Sequence, residues 1–200
     1  MIDHILLDVI GSVRDAFEAA LLEQQAVEER FQVDVFLGDL SFETSYSLPG
    51  ERNPARVRAD LTLDWPTWSQ SAYRSWSIGE PPAEPPELVV ELAFRLQNLV
   101  GTPDHEKVVS VLDEVGPELG SERLDRTAPT LEQLFDPDAG TSAALEVAYQ
   151  GSIRLDEAIL EDPSRLDTQV SSLARWVASM LVRLADLDLP FRPPSEEETE

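Results

Sequence analysis

Few residues in this chain could carry chemistry. It holds two histidines and no cysteine, which excludes thiolate nucleophiles, thiolate metal sites and disulfides. His105 stands in "PDHEK" between Asp104 and Glu106, a trio that could bind a divalent metal. Consecutive helical residues point in different directions, however, and acids in a first turn are favoured by the helix dipole. No spaced zinc-ligand set accompanies the trio, so it reads as a helix start. His4, in the first turn of the leading helix, has no functional reading. "DPDAGTS" sets out Asp136, Asp138, Gly140 and Ser142 somewhat like a calcium loop. It lacks the ligand-glycine spacing and the terminal bidentate glutamate, and reads as an acidic turn.

Serine nucleophiles have no base, because neither histidine lies in a catalytic context. No glycine-rich phosphate loop is present. Carboxylates abound, but on so acidic a chain their abundance says nothing about acid–base catalysis. The expectation is a protein that is not an enzyme, with no cofactor and no metal. A carboxylate enzyme with a divalent metal would need Asp104, His105 or the 136–138 pair to meet other acids in a cleft.

The bulk numbers point to shape rather than reaction. The 200 residues, 42% of them hydrophobic, suffice for one domain with a real core. Against 39 acidic residues stand 15 basic ones, for a formal charge of −24. Lys107 is the one lysine; the other basic residues are arginine. Self-repulsion on that scale is relieved when salt screens it, which suggests a salt-adapted, halophilic protein that requires high salt. Nucleic acid is an unsuitable partner, since phosphate contacts need a positive face. "MIDHILLDVIGSVRDAFEAA" has no basic leader region and is broken by Asp3, Asp8 and Gly11, so no signal peptide is expected. No apolar run reaches the length of a membrane span. A soluble protein of the cytoplasm or of a virion is expected.

The elements that would position these groups follow from periodicity. Residues 3–28 read as a helix capped by Asp3, with Ile2, Ile5, Leu6, Val9, Ile10, Val13, Phe17 and Leu21 in one stripe. "FQVDVFLGDLSFETSYSL" alternates around Gly38-Asp39 and reads as a two-residue hairpin pairing Leu37 with Leu40, Val35 with Phe42, Val33 with Thr44 and Phe31 with Tyr46. "ARVRADLTLDW" supplies a third strand, with Leu63 facing Leu40, Leu61 facing Phe42 and Val57 facing Tyr46. Residues 66–86 form an aromatic and proline-rich connection of undecided structure. Residues 87–100 fit a strand better than a helix. A middle helix should follow, capped by Thr102, with Pro103 first and Val108, Val109, Leu112 and Val115 inward. Residues 120–127 suggest a short strand, "TLEQLF" a helical turn, and "LEVAYQGSIRL" a strand. Residues 163–187 read as an amphipathic helix with Val170, Leu173, Val177, Met180, Leu184 and Leu187 inward.

The expected fold is therefore α+β: an antiparallel sheet built on a three-stranded meander and covered by an N-terminal, a middle and a C-terminal helix. Residues 1–189 should form one domain and 190–200 a disordered acidic tail. Two features favour binding to proteins. Arg52, Arg56 and Arg58 are the densest positive patch, against a local ion pairing of Arg58 with Glu43. Trp65, Trp68, Tyr73 and Trp76 crowd into twelve residues and could anchor an interface or pack the core.

The stretches "ILLDVIGSVRDAFEAALL", "ELVVELAFRLQNLVGTPDHEKVVSVL" and "ALEVAYQGSIRL" occur in an order that resembles tail-terminator and neck proteins of tailed viruses and contractile injection machines. The resemblance spans about residues 1–156 and rests on pattern, with "WPTWSQSAYRSW" and the final helix as departures. It implies a ring-forming, non-catalytic assembly protein that caps or joins a tube. The leading expectation is thus an oligomeric assembly protein that self-associates; the second is a monomeric adaptor or regulatory domain that binds a cellular protein through the aromatic stretch.

Overall fold

A computed structural model describes residues 11, 14–19, 22, 27–36, 39–49, 54–120, 122–136 and 140–193. The strands are β1 (Val27–Phe36), β2 (Asp39–Ser47), β3 (Val57–Trp65), β4 (Glu87–Val100), β5 (Val115–Leu119), β6 (Glu122–Arg126), β7 (Thr130–Asp136) and β8 (Gly140–Arg154). Helical residues 14–19 belong to α1. Then come α2 (Thr67–Ser77), α3 (His105–Val109), α4 (Glu157–Glu161) and α5 (Asp167–Ala185), the last preceded by a 3-10 turn at Pro163–Leu166. The strands form one antiparallel sheet in the order β1-β2-β3-β4-β8-β6-β5, and β7 pairs with β8 outside that path. The fold is α+β, as the alternation predicts.

The oily face of β2 and β3 forms as expected, but the register of the meander slides. Leu40 pairs with Val35, Phe42 with Val33 and Thr44 with Phe31; on the other side Leu40 pairs with Trp65 and Phe42 with Leu63. Both ladders differ from the expected pairings by two residues. A two-residue slide leaves every side chain on its face, so burial fixes the face and not the slide. Phe36 pairs with Asp39, and positions 37 and 38 lie outside the described residues. The expected helix end at residue 28 is also overturned, because Val27 and Glu28 already belong to β1. Most of the expected first helix lies outside the described residues.

One face of the sheet carries the core. Phe42, Leu61, Leu92, Phe94, Val147 and Tyr149 are buried there, and α5 packs against β3 and β5. That helix has no side-chain cap. What holds it is burial of Val170, Leu173, Val177, Met180, Leu181 and Leu184, each contributing roughly 1.5–3 kcal/mol. Leu187 is half-buried against the same core. At the other end of the sheet Phe17 is fully buried and stacks on Tyr46, ring centroids 4.9 Å apart.

Four further expectations are corrected. The middle helix is a single short turn of α3, capped by Asp104, whose carboxylate accepts from the Glu106 and Lys107 amides, and not by Thr102. Val115 opens β5 and is exposed. "TLEQLF" is strand β7 rather than a helical turn. Finally, residues 190–193 are not a loose tail. The Val100 amide donates to the Pro190 carbonyl at 2.7 Å, and the Arg192 amide donates to the Asn98 carbonyl at 2.7 Å, so the chain end braces the end of β4. Residues 194–200 lie outside the described residues.

Candidate interaction surface

The aromatic stretch does not act as one surface. Pro66 leads into α2, whose first residue Thr67 donates from both its amide and its hydroxyl to the Asp39 carboxylate, at 2.5 and 2.6 Å. These two bonds, the hydroxyl's first, hold the Asp39 carboxyl below its ordinary range. Helix α2 thereby docks on the start of β2. Trp65 is 1% exposed and belongs to the core, so it cannot anchor a partner. Tyr73 and Trp76 are half-buried beside it: the Tyr73 ring is tilted against Trp65 with centroids 5.5 Å apart and stacks on Trp76 at 6.0 Å. Only Trp68 of the four faces solvent, at 47% exposure.

The arginines divide as well. Arg52 lies outside the described residues. The Arg56 guanidinium sits 5.1 Å over the Phe191 ring, a cation–π contact that ties it to the returning chain end. Arg58 faces Arg95 directly across the β3–β4 ladder. The like charges are tolerated because each has a carboxylate: Arg58 pairs with Asp60 at 3.0 Å, and Arg95 with Glu146 at 3.1 Å and Glu132 at 2.5 Å. Arg58 thus meets Asp60 rather than Glu43.

The remaining candidates from the sequence stay apart. His105 and Glu106 are exposed and line a shallow groove with Arg126 and Thr127. Arg126 donates to the Leu112 carbonyl at 3.2 Å, closing the turn after α3. Asp136 pairs with Gly140 across the β7–β8 turn, and residue 138 lies outside the described residues. Among the described residues no three histidine or acidic side chains cluster to hold a metal ion.

The surface that stands out was read from the sequence as a helical turn. Among the described residues β7 pairs with β8 alone, so its second edge presents unpaired backbone donors and acceptors. Three of its side chains are apolar and open: Leu131 is 42%, Leu134 60% and Phe135 77% exposed. Leu134 pairs with Ser142, which pairs in turn with Val100, itself 48% exposed. A bulge between Leu96 and Leu99, with Asn98 at a φ of 60°, puts Leu99 in the core and turns Val100 outward. Alternation of Thr130, Glu132 and Leu134 against Leu131, Gln133 and Phe135 was the signal for this strand, but six residues also fit a turn of helix. No protein-family model, curated protein or solved structure matches the chain.

Proposed function

We propose that the chain is a non-catalytic assembly protein that works by self-association in a salt-adapted system, most concretely as a component of virion neck or tail-terminator type. The observation that carries this reading is the open edge of β7, with Phe135 77% exposed. Natural sheets blunt their edges with charge, proline or bulges because a bare apolar edge recruits another chain. The formal charge of −24 would oppose such contacts in dilute buffer and permit them in concentrated salt, where the screening length falls to about 3 Å. Light scattering after size exclusion, at about 2 M and about 0.1 M potassium chloride, tests the reading. A discrete oligomer at high salt that dissociates at low salt supports it. A 22.2 kDa monomer in both buffers overturns it.

That second outcome would favour a monomeric adaptor. Trp68 and Ile78, 47% and 71% exposed toward the two ends of α2, support this second reading as the place where a protein partner would dock.

A further inference from the structure

We propose that β7 pairs antiparallel with β7 of a second copy, about a two-fold axis through Gln133; the proposal rests on the self-association reading and names its surface. A two-fold axis normal to a sheet keeps each side chain on its own face, so it must pass through a residue and not between two. With the axis at Gln133 all seven residues of β7, "TLEQLFD", find partners. Leu131 falls opposite Phe135 of the second copy, twice over. Glu132 falls opposite Leu134, and Thr130 opposite Asp136.

Neighbouring registers are worse by charge. An axis at Glu132 sets that carboxylate against its own copy, and an axis at Leu134 sets Glu132 against Asp136. Like charges directly opposite destabilise a pair of strands, whereas apolar pairs stabilise it. In the favoured register no two carboxylates face each other. Glu132 also reaches the seam already paired with Arg95 of its own chain, which lowers the repulsion that so acidic a chain would otherwise bring. The occupant with the best fit to this edge is therefore a second copy of the chain itself.

Two kinds of variant test the proposal in the full chain. The sequence has no cysteine, so a single introduced thiol reports without background. Gln133→Cys places two thiols on the axis, where facing residues of an antiparallel pair lie about 4.5–5.5 Å apart, within disulfide reach. Leu131→Cys places its two thiols four residues apart along the seam, about 13 Å, beyond that reach. Under mild oxidation at high salt, Gln133→Cys should convert to a covalent dimer, while Leu131→Cys and Glu157→Cys, the latter an exposed position at the start of α4, stay at background. Separately, Leu131→Lys/Phe135→Lys alters only exposed positions and should abolish the oligomer seen by light scattering with an unchanged circular dichroism spectrum.

If wild type associates but the double lysine variant associates equally well, or Leu131→Cys cross-links as fast as Gln133→Cys, the β7 seam is overturned and self-association survives on another surface. If wild type is monomeric at every salt and Gln133→Cys stays at background, both readings fall.

Discussion

The Trp65 indole, at the end of β3, donates to the hydroxyl oxygen of Ser69 on α2 at 3.0 Å. That oxygen also accepts from the Glu87 amide at 2.7 Å, and the hydroxyl donates to the Glu87 carbonyl at 2.6 Å. One buried serine thus ties the end of β3, the start of α2 and the start of β4. Ser69→Ala would leave the Trp65 and Glu87 donors unpaired, each unmet buried group costing about 1–3 kcal/mol. Urea unfolding followed by circular dichroism should show a loss of roughly 2–4 kcal/mol. A loss no larger than that of an exposed control such as Ser77→Ala would show that water reaches the site.

Leu124 is held between two glycines. A β-carbon on Gly116 would meet the Leu124 β-carbon at 2.8 Å and its carbonyl oxygen at 3.2 Å; one on Gly151 would meet the Leu124 Cδ2 at 2.9 Å and the Arg123 carbonyl at 3.1 Å. Both alanine substitutions should destabilise, by about 1–3 kcal/mol as overpacking does. They should respond differently to Leu124→Ala, which removes the Cδ2 but keeps the β-carbon. In that background the cost of Gly151→Ala should shrink while that of Gly116→Ala persists. A double-mutant cycle in urea reads the difference, and equal coupling at both glycines would refute this packing.

The parts of the fold legible in the sequence are those where burial repeats at a fixed period. The inward positions expected on β2 and β3, Leu88, Val90, Leu92, Phe94 and Leu96 on β4, and Leu145, Val147, Tyr149 and Ile153 on β8 are buried, as are Val170, Leu173, Val177, Met180 and Leu184 of α5. What alternation cannot supply is the slide along a ladder, because Leu40 keeps its face whether it meets residue 35 or 37. Nor does it foresee the bulge at Asn98, which ends the β4 alternation and turns Val100 outward. The aromatic stretch is ambiguous for another reason: a tryptophan suits a core and an interface equally, and the Ser69 bond and the tilted contact with Tyr73 show Trp65 packed inside. The edge of β7 was hidden because a short segment fits both periods.

Asp113 joins α5 to β8. Its carboxylate accepts from the Trp176 indole at 2.7 Å and the Arg183 guanidinium at 3.2 Å, and its carbonyl accepts from the Tyr149 hydroxyl. The Arg183 pair is about half exposed and should add less than about 1 kcal/mol. The bond to Trp176 on α5 should dominate. Asp113→Asn, which keeps an acceptor for the indole, should cost less than about 1 kcal/mol, and Asp113→Ala about 1–2 kcal/mol. Chemical denaturation distinguishes them; equal losses would assign the effect to the ion pair instead.

Tyr149 predicts how stability depends on alkaline pH. It is fully buried, packed edge-on against Trp176 and Phe94 with centroids 4.9 and 6.0 Å away. Burial disfavours the phenolate and pushes the hydroxyl's pKa from 10.0 up to about 12. Between those two values the unfolded chain has lost a proton that the folded chain still holds, so raising the pH favours unfolding. The stabilisation is fully present below about pH 10 and is lost as the pH climbs through about 12. A shift of that size corresponds to roughly 2–3 kcal/mol. Tyr149→Phe cannot ionise, so its stability should fall less steeply than that of wild type across the same interval, although it should be lower at neutral pH through the lost bond to Asp113. Urea titrations from pH 8 to 11.5 read both slopes. Parallel slopes for the two proteins would mean that the phenol ionises as readily in the fold as outside it.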